Sequence, residues 1–223
     1  MRVAVLDSGI DAAHAAFKGR LLPGFDFVDF DNDPAEVGNA LTHPSFGHGT
    51  HVAGLVALAA PGAKIMPLRV LDADGAGNAW VLGEAMLHAV DPDRNPASDD
   101  GAHVINLSLG SLGRTELLDT LAKLTACAIP AVAVEPDDDF TDPGYNADKQ
   151  RCETRSGAVI VAAAGNDGSE SVRQYPAAEG AYGLMAVGAS TAANRQAAFS
   201  NFGSWVDIAA PGEGITSALP GGG

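Results

Sequence analysis

Three polar residues occupy positions where they could move protons or stabilise charge in a reaction. Asp7 ends an apolar run, and a carboxylate there could hold the ring N–H of a histidine and stabilise its protonated form. His48 stands between glycines that allow close backbone approach, and a predicted helix begins at its imidazole. Asn166 follows another apolar run, and its amide could donate a hydrogen bond to a developing oxyanion. A carboxylate, an imidazole and an amide are groups that acid–base and electrostatic catalysis use.

Each of these residues also has an ordinary structural explanation. An aspartate after a strand often caps a turn or a helix, and an asparagine in a turn beside glycine is common. His48 and His51 are three residues apart, which invites a metal interpretation. The zinc-binding helix has its histidines four residues apart with a glutamate between them, so this spacing disfavours zinc. No single one of these residues indicates the function, so the argument must rest on their combination.

The elements that would position these residues alternate along the chain. Apolar runs predict strands at 3–6, 65–71, 103–109, 158–164, 184–188 and 205–209, and helices are predicted at 48–60, 80–90 and 116–125. Residues 24–47 are rich in Gly, Pro, Asn and Asp, which predicts a long loop. The fold class is therefore α/β, with three layers and a mostly parallel central sheet that has helices on both faces. Asp7, Gly110 and Asn166 all follow strand ends, where sites form in such sheets.

Length and charge limit the class of protein. The 223 residues, of which 46% are hydrophobic, suffice for one α/β domain with a sizeable core. The formal net charge of −15 makes nucleic acid and anionic membranes poor partners. No apolar run reaches the roughly 18 residues of a transmembrane helix, and residues 1–7 predict a strand rather than a signal peptide. Localisation stays open, since the chain is either made without a signal or cut from a longer protein.

Several motifs occur together in the order of one known family. The stretches around Asp7 (5–9), His48 (48–54) and Asn166 (162–168) resemble the subtilisin family of serine proteases. Further matching stretches are Ile105-Asn106-Leu107-Ser108-Leu109-Gly110, Tyr175-Pro176, 197–203 and 207–212. The resemblance extends from residue 2 to residue 222. It implies a single subtilisin-like peptidase domain over residues 1–223, and peptide-bond hydrolysis by an Asp/His/Ser triad with an Asn in the oxyanion hole.

The resemblance assigns a role to each matching residue. Asp7 is expected to orient the base, His48 to act as general base and then general acid, and Asn166 to donate to the oxyanion. The substrate would be an extended peptide or protein segment bound between two edges by β-augmentation. Asp167 and Gln174 would lie near the pocket for the P1 residue, where a polar or basic side chain is one hypothesis. The expected substrate-binding residues are Gly75, Gly77, Ser108, Leu109, Gly110, Asp167 and Tyr175.

The family's nucleophile is not found in these 223 residues. Its motif, Gly-Thr-Ser-Met-Ala at the start of a long central helix, does not occur in the sequence. Ser217 follows a threonine, but residues 210–222 resemble the stretch that precedes the nucleophile in the family. We therefore expect this chain to lack the serine, the last helices and the family's N-terminal segment, and to be inactive alone. Two alternatives stay open: a non-catalytic peptide-binding module, or one half of a split protease that a second chain completes.

A calcium site is predicted in the acidic loop. Residues 24–34 resemble a calcium-binding loop of some family members, and clustered carboxylates suit this hard cation. A solvated acidic loop without a metal is the alternative. The family's common strong calcium site is expected to be missing, because Ala16 replaces a frequent aspartate and the loop at 55–62 is short. The expected calcium ligands are Asp26, Asp29, Asp31 and Asp33, and no organic cofactor is expected.

Residues 127–150 interrupt the regular pattern of strands and helices. The segment is rich in proline and aspartate and reads as an insertion at the edge of the sheet away from the site. We expect it to form an accessory or partner surface. Cys127 and Cys152 flank it and either form a disulfide that closes the segment or remain two free thiols.

Overall fold

A computed structural model describes residues 1–95, 97–125, 157–180 and 183–222. The predicted insertion at 127–150, and with it Cys127 and Cys152, lies outside these described residues. Within the ranges that are described, no helix has the length and apolar character needed to cross a membrane.

A seven-stranded parallel sheet forms the centre of the described protein, with the strand order β2-β3-β1-β4-β5-β6-β7. The strands are β1 (Arg2–Asp7), β2 (Phe25–Asp26), β3 (Lys64–Arg69), β4 (Val104–Leu107), β5 (Val159–Ala163), β6 (Leu184–Ser190) and β7 (Ile208–Pro211). The central strand β1 pairs with β3 and β4, so that Val5 lies between Pro67 and Asn106. Because all neighbouring strands are parallel, their C-terminal ends share one edge of the sheet.

Helices cover both faces of this sheet. They are α1 (His48–Ala59), α2 (Ala79–Val90) and α3 (Glu116–Thr125). Val3 and Val5 of β1 belong to a buried cluster with α1, whereas Ala4 and Leu6 belong to a second cluster with α2 and α3. This alternation follows from the two-residue period of a strand, and it requires an apolar layer on each side. The predicted three-layer α/β class is therefore confirmed.

The two faces of β4, β5 and β6 differ in how well they are covered. On the side of α2 and α3, Ile160 and Ala186 are fully buried. On the other side, which we call the α1 face, Val161 is only half-buried and its register neighbour Met185 is 39% exposed. The helix α1 packs on the sheet mainly over β1 and β3. An apolar strip on the α1 face of β4–β6 is thus left partly open within the described residues.

Several predicted strand ends differ from the structure by one or two residues, and two differences are larger. The stretch 24–47 was predicted to be rich in loop, but Phe25–Asp26 pairs with β3 as β2. A two-residue strand is too short to show any periodicity in sequence. The last strand was predicted from 205, yet β7 begins at Ile208, because Trp205 packs against the core and donates from Nε1 to the carbonyl of Glu170.

We expect truncation on the two faces of β5 to have unequal costs in the 223-residue chain. Ile160→Ala should lower the unfolding free energy by about 2–5 kcal/mol, because it removes buried contacts and leaves a cavity. Val161→Ala should cost clearly less, because part of that side chain is already exposed to solvent. Urea unfolding monitored by circular dichroism measures both. Equal costs would contradict the difference in covering between the two faces.

Candidate active site

The C-terminal end of β1 places a carboxylate beside an imidazole. Asp7 ends β1 with a side chain that is 1% exposed, whereas His48 opens α1 with a side chain that is 46% exposed. Asp7 Oδ1 lies 2.6 Å from His48 Nδ1 and also accepts a hydrogen bond of 2.7 Å from the backbone N–H of Ser8. An ionised carboxylate can only accept, so Nδ1 of His48 is the donor and Nε2 is left free to accept a proton.

This hydrogen bond also sets the charge balance of the pair. It raises the pKa of His48 above its ordinary value, burial of the ring opposes the rise, and the negative charges of Asp7 and Glu36 add to it. The second oxygen of Asp7, Oδ2, is buried and has no hydrogen-bond partner among the described residues. The charge of Asp7 is therefore directed mainly at the imidazole, and the pair favours the protonated ring.

Glycines allow α1 to begin close to the end of β1. A Cβ atom on Gly49 would collide with the carbonyl oxygen of Gly9, which lies in the turn after β1. Gly47, just before the helix, has a φ of 88°, in the left-handed region that favours glycine. The glycines on both sides of His48 are thus required by the position of the ring beside Asp7.

The turn that contains Asn166 is built around a buried side chain that sequence reasoning missed. Asn166 is exposed after β5, next to Gly165, which has a φ of 105°. Asn201 is 1% exposed; its Nδ2 donates to the carbonyl of Ala164 at 2.9 Å, and its Oδ1 accepts from the backbone N–H of Asp167 at 2.9 Å. These bonds lie on both sides of Asn166 and fix the turn. The available signal for Asn201 was its place in one of the family-like stretches.

A groove of about 350 Å³ lies beside His48 between two walls. One wall is the turn after β3, where Asp72 accepts two backbone hydrogen bonds through its side chain. The other wall follows β4, and Ser111 in it pairs with Tyr175 through two backbone hydrogen bonds of 2.9 and 2.8 Å. The peptide bond between Tyr175 and Pro176 is cis. Expected substrate-binding residues that line the groove are Gly75, Gly77, Ser108, Leu109, Gly110 and Tyr175.

Gln174 fills the space between the second wall and the Asn166 turn. A Cβ atom on Gly165 would collide with its side chain, and one on Gly110 would lie 3.0 Å from its Oε1. Its Nε2 donates to Asp167 Oδ2 at 3.2 Å, and the same oxygen accepts from Asn201 Nδ2 at 3.2 Å. Asp167 does not line the groove, unlike the other expected substrate-binding residues. Asp167 is exposed, and one of its carboxylate oxygens, Oδ2, accepts both of these amide hydrogen bonds.

Ser217 is placed away from the imidazole of His48. Its hydroxyl donates to the backbone carbonyl of His51 at 2.7 Å, and it packs against Gly54 in the body of α1. In the described part of the chain, no serine hydroxyl forms a hydrogen bond with the His48 ring. The position of Ser217 agrees with the expectation that it is not the nucleophile.

Two carboxylates of the acidic loop form ion pairs with one arginine of the protein itself. Arg69 Nη1 lies 2.5 Å from Asp26 Oδ2 and 2.6 Å from Asp29 Oδ2, and Asp26 Oδ1 accepts the backbone N–H groups of Val28 and Asp29. Both oxygens of Asp26 are therefore used. Among the described residues, the four expected ligands do not converge as a group within metal-binding distance. As placed, Asp26 and Asp29 are paired with a guanidinium, and the calcium site in this loop stays a prediction.

A different group of three aspartates has the geometry to hold a metal. The carboxylates of Asp91, Asp93 and Asp100 lie within 4.8 Å of one another. The hydroxyl of Ser98 lies 2.9 Å from Asp93 and 3.1 Å from Asp100. The group lies between the end of α2 and the start of β4, at the sheet edge opposite His48, so it takes no direct part in the site.

A parallel α/β sheet with an Asp–His pair and an Asn turn at its C-terminal edge is the arrangement of a subtilisin-like protein. A crystal structure of a cold adapted subtilisin-like serine proteinase superposes with a TM-score of 0.70 at 29% identity, covering 98% of this chain and 65% of that one. The family model of peptidase S8, the subtilase family, matches residues 1–222. The chain therefore belongs to the subtilase family.

Curated relatives are proteases that are longer than this chain. A thermophilic serine proteinase of Bacillus sp. (strain AK1) is 34% identical over 229 residues, which cover 98% of this chain and 45% of the relative. Thermitase of Thermoactinomyces vulgaris is 32% identical over 230 residues, covering 98% and 65%. Subtilisin E of Bacillus subtilis (strain 168) is 33% identical over 236 residues, covering 100% and 49%. The chain spans about half to two thirds of the length of these relatives.

We expect Asp7→Asn to lower the pKa of His48, because it removes the charge that stabilises the imidazolium. A raised pKa in the folded state stabilises the protein below pH ~6.5, and this stabilisation is lost as the pH rises through the folded pKa. The melting temperature should therefore depend less on pH in the variant than in the wild type between pH 5 and 8. NMR titration of the imidazole C–H signals gives the pKa directly. Glu213→Gln, at an exposed position, controls for loss of a charge, and an unchanged pKa in Asp7→Asn would contradict the assignment.

Proposed function

We propose that this chain supplies the acid, the base, the oxyanion donor and the substrate-binding edges of a subtilisin-type serine endopeptidase. The observation that supports it most is the 2.6 Å contact between Asp7 and His48 beside a groove. In this proposal His48 Nε2 takes the proton of a serine hydroxyl, whose oxygen then attacks the carbonyl carbon of the scissile bond. The protonated ring, stabilised by Asp7, gives the proton to the leaving amine. Water hydrolyses the acyl-enzyme by the same route in reverse.

The oxyanion formed during attack would be stabilised by Asn166. An amide donor is useful only if it is held in place before the charge develops. The hydrogen bonds of buried Asn201 on both sides of Asn166 support such preorganisation.

The two walls of the groove would hold the substrate in an extended form. Gly75 and Gly77 on one wall and the segment 108–110 on the other line the groove, and their backbone groups would suit the pairing of a peptide as an additional strand. The substrate class is therefore a peptide or an unfolded protein segment.

The nucleophile is proposed to come from residues outside these 223. Ser217 supports this proposal, because its hydroxyl is bonded to a backbone carbonyl of α1 and not to the His48 ring. The partly open apolar strip on the α1 face of β4–β6, where Val161 and Met185 lie, supports it as well. A helix that covers this strip would bury its apolar side chains and could present a serine at the sheet edge. Further sequence of the same polypeptide or a second chain would provide it. Without such a helix, the groove would act as a peptide-binding module.

Fluorophosphonate labelling, read by intact mass and peptide mapping, tests the proposal. We expect the 223-residue chain to give no adduct, because no serine of the described residues forms a hydrogen bond with the His48 ring. The complete product of the gene, alone or with its partner chain, should give one adduct on a serine outside residues 1–223, and His48→Ala should abolish it. An adduct on Ser217 that depends on His48 would contradict the placement of the nucleophile. No adduct in any form would favour the binding module.

Gln174 is proposed to restrict the P1 residue of the substrate to small side chains. It fills the space between Gly110 and Gly165, and Asp167 beside it is engaged by Gln174 and Asn201. A large P1 side chain would have to displace Gln174.

In the complete protein, Gln174→Ala should raise kcat/KM for a peptide with P1 Phe by about 10-fold or more, while P1 Ala changes little. Steady-state kinetics on a matched pair of peptides measure the ratio. Gln196→Ala, whose amide bonds to the backbone carbonyl of Ser200, is the matched control. A wild-type protein that already cleaves after Phe as well as after Ala would refute the restriction.

A further inference from the structure

We propose that Glu36 is a positioning residue that holds the first turn of α1 against the end of β1 and thereby keeps the His48 ring beside Asp7. Glu36 lies in the loop segment between β2 and α1, outside the short family-like stretches named in the sequence analysis. Its effect on turnover rests on the proposed protease function, but its effect on His48 does not.

Four hydrogen bonds from two elements converge on the carboxylate of Glu36. Oε1 accepts the backbone N–H of Thr50 at 2.9 Å and its hydroxyl at 3.0 Å. Oε2 accepts the backbone N–H of Gly47 at 3.1 Å and the hydroxyl of Ser8 at 3.1 Å. Gly47 and Thr50 flank His48 in the chain, and Ser8 follows Asp7. Glu36 therefore contacts the neighbours of both members of the catalytic pair.

Glu36 takes the place of the missing cap of α1. The first backbone N–H groups of a helix have no partners within the helix and need other acceptors. Gly47, at the cap position, has no side chain to provide one. The carboxylate of Glu36 provides it from an earlier part of the chain, at the helix end where a negative charge is favourable. The orientation of the residue that opens the helix, His48, then depends on Glu36.

Two hydroxyl groups extend this anchor in both directions. Ser8 Oγ accepts the backbone N–H of Gly49 at 3.0 Å, and Thr50 Oγ1 accepts the backbone N–H of Asp11 at 2.9 Å. Each hydroxyl thus joins one element to the other while it donates to Glu36. Removal of Glu36 would leave both hydroxyls without this charged acceptor, so the contact between α1 and the end of β1 would loosen.

The position of Glu36 is itself fixed by the turn after β1. Ile10 donates its backbone N–H to the carbonyl of Pro34 at 2.9 Å and forms a bridge with Ala35. A Cβ atom on Gly9 would lie 2.7 Å from the carbonyl oxygen of Ala35, so only glycine allows this approach. The acid is therefore held by backbone pairing and does not depend on a flexible loop.

The charge of Glu36 also acts on the imidazole. The acids that raise the pKa of His48 are Asp7, which faces the ring from β1, and Glu36, which faces the start of α1 from the preceding loop. Replacement of Glu36 by a neutral residue should therefore lower the pKa of His48 relative to the wild type, even when the hydrogen bonds of position 36 are partly kept. A residue that served stability alone would not have this effect.

The test compares Glu36→Gln, Glu36→Asp and Glu36→Ala in the complete protein, with Glu213→Gln as the charge control. The Gln variant keeps the length but loses the charge, so NMR titration should show the His48 pKa lowered by a few tenths of a unit or more. The acid limb of the kcat/KM profile should move to lower pH by the same amount. Glu36→Ala should lower kcat by about 10-fold or more with little change in KM, as expected when a catalytic group is misplaced. The Glu36→Asp variant keeps the charge on a shorter side chain, so its kcat should lie between those of Glu36→Ala and the wild type.

The outcomes separate this proposal from the protease proposal. A lowered melting temperature with an unchanged His48 pKa and an unchanged acid limb in both Gln and Ala variants would overturn the positioning role. The NMR measurement needs no turnover, so a protein without hydrolytic activity would refute the protease function while the shift of His48 still tests Glu36. If Glu36→Ala does not fold, the Gln and Asp variants decide the question.

Discussion

The hydrogen bond between Asp7 and His48 constrains the rest of the structure, because it joins groups that are 41 residues apart in the chain at a distance of 2.6 Å. A contact this short requires the first turn of α1 to pack directly on the end of β1, and therefore glycine at position 49. The carboxylate of Asp7 is buried and also accepts the backbone N–H of Ser8, whereas its Oδ2 has no hydrogen-bond partner among the described residues.

The parallel sheet converts this local constraint into a site. Strands that run in one direction bring their C-terminal ends to one edge, so Asp7, the wall after β4 and the Asn166 turn lie along the same edge although they come from distant parts of the sequence. The same sheet leaves an apolar strip on the α1 face of β4–β6 partly open in the described residues. In the proposed function, the same helix would cover that strip and supply the nucleophile.

The acidic side chains near the site each have a separate physical task. Asp7 stabilises a protonated imidazole, Glu36 accepts the unpaired N–H groups at the start of α1, and Asp26 with Asp29 holds the buried guanidinium of Arg69. Each charge is matched by a donor or a cation close by, as burial of charge requires. A large negative net charge is thus compatible with a well-ordered edge of the sheet.

The sequence by itself determined the α/β class, the three helices and the positions of Asp7 and His48, because long apolar runs and glycine-flanked motifs are local signals. It could not show the short strand β2, nor that Arg69 forms an ion pair with Asp26, since these depend on pairing between distant segments. The roles of Glu36 and Asn201 were also decided only by tertiary structure. Both residues act through hydrogen bonds to backbone groups far away in sequence, and such partners leave no pattern in the residues around them.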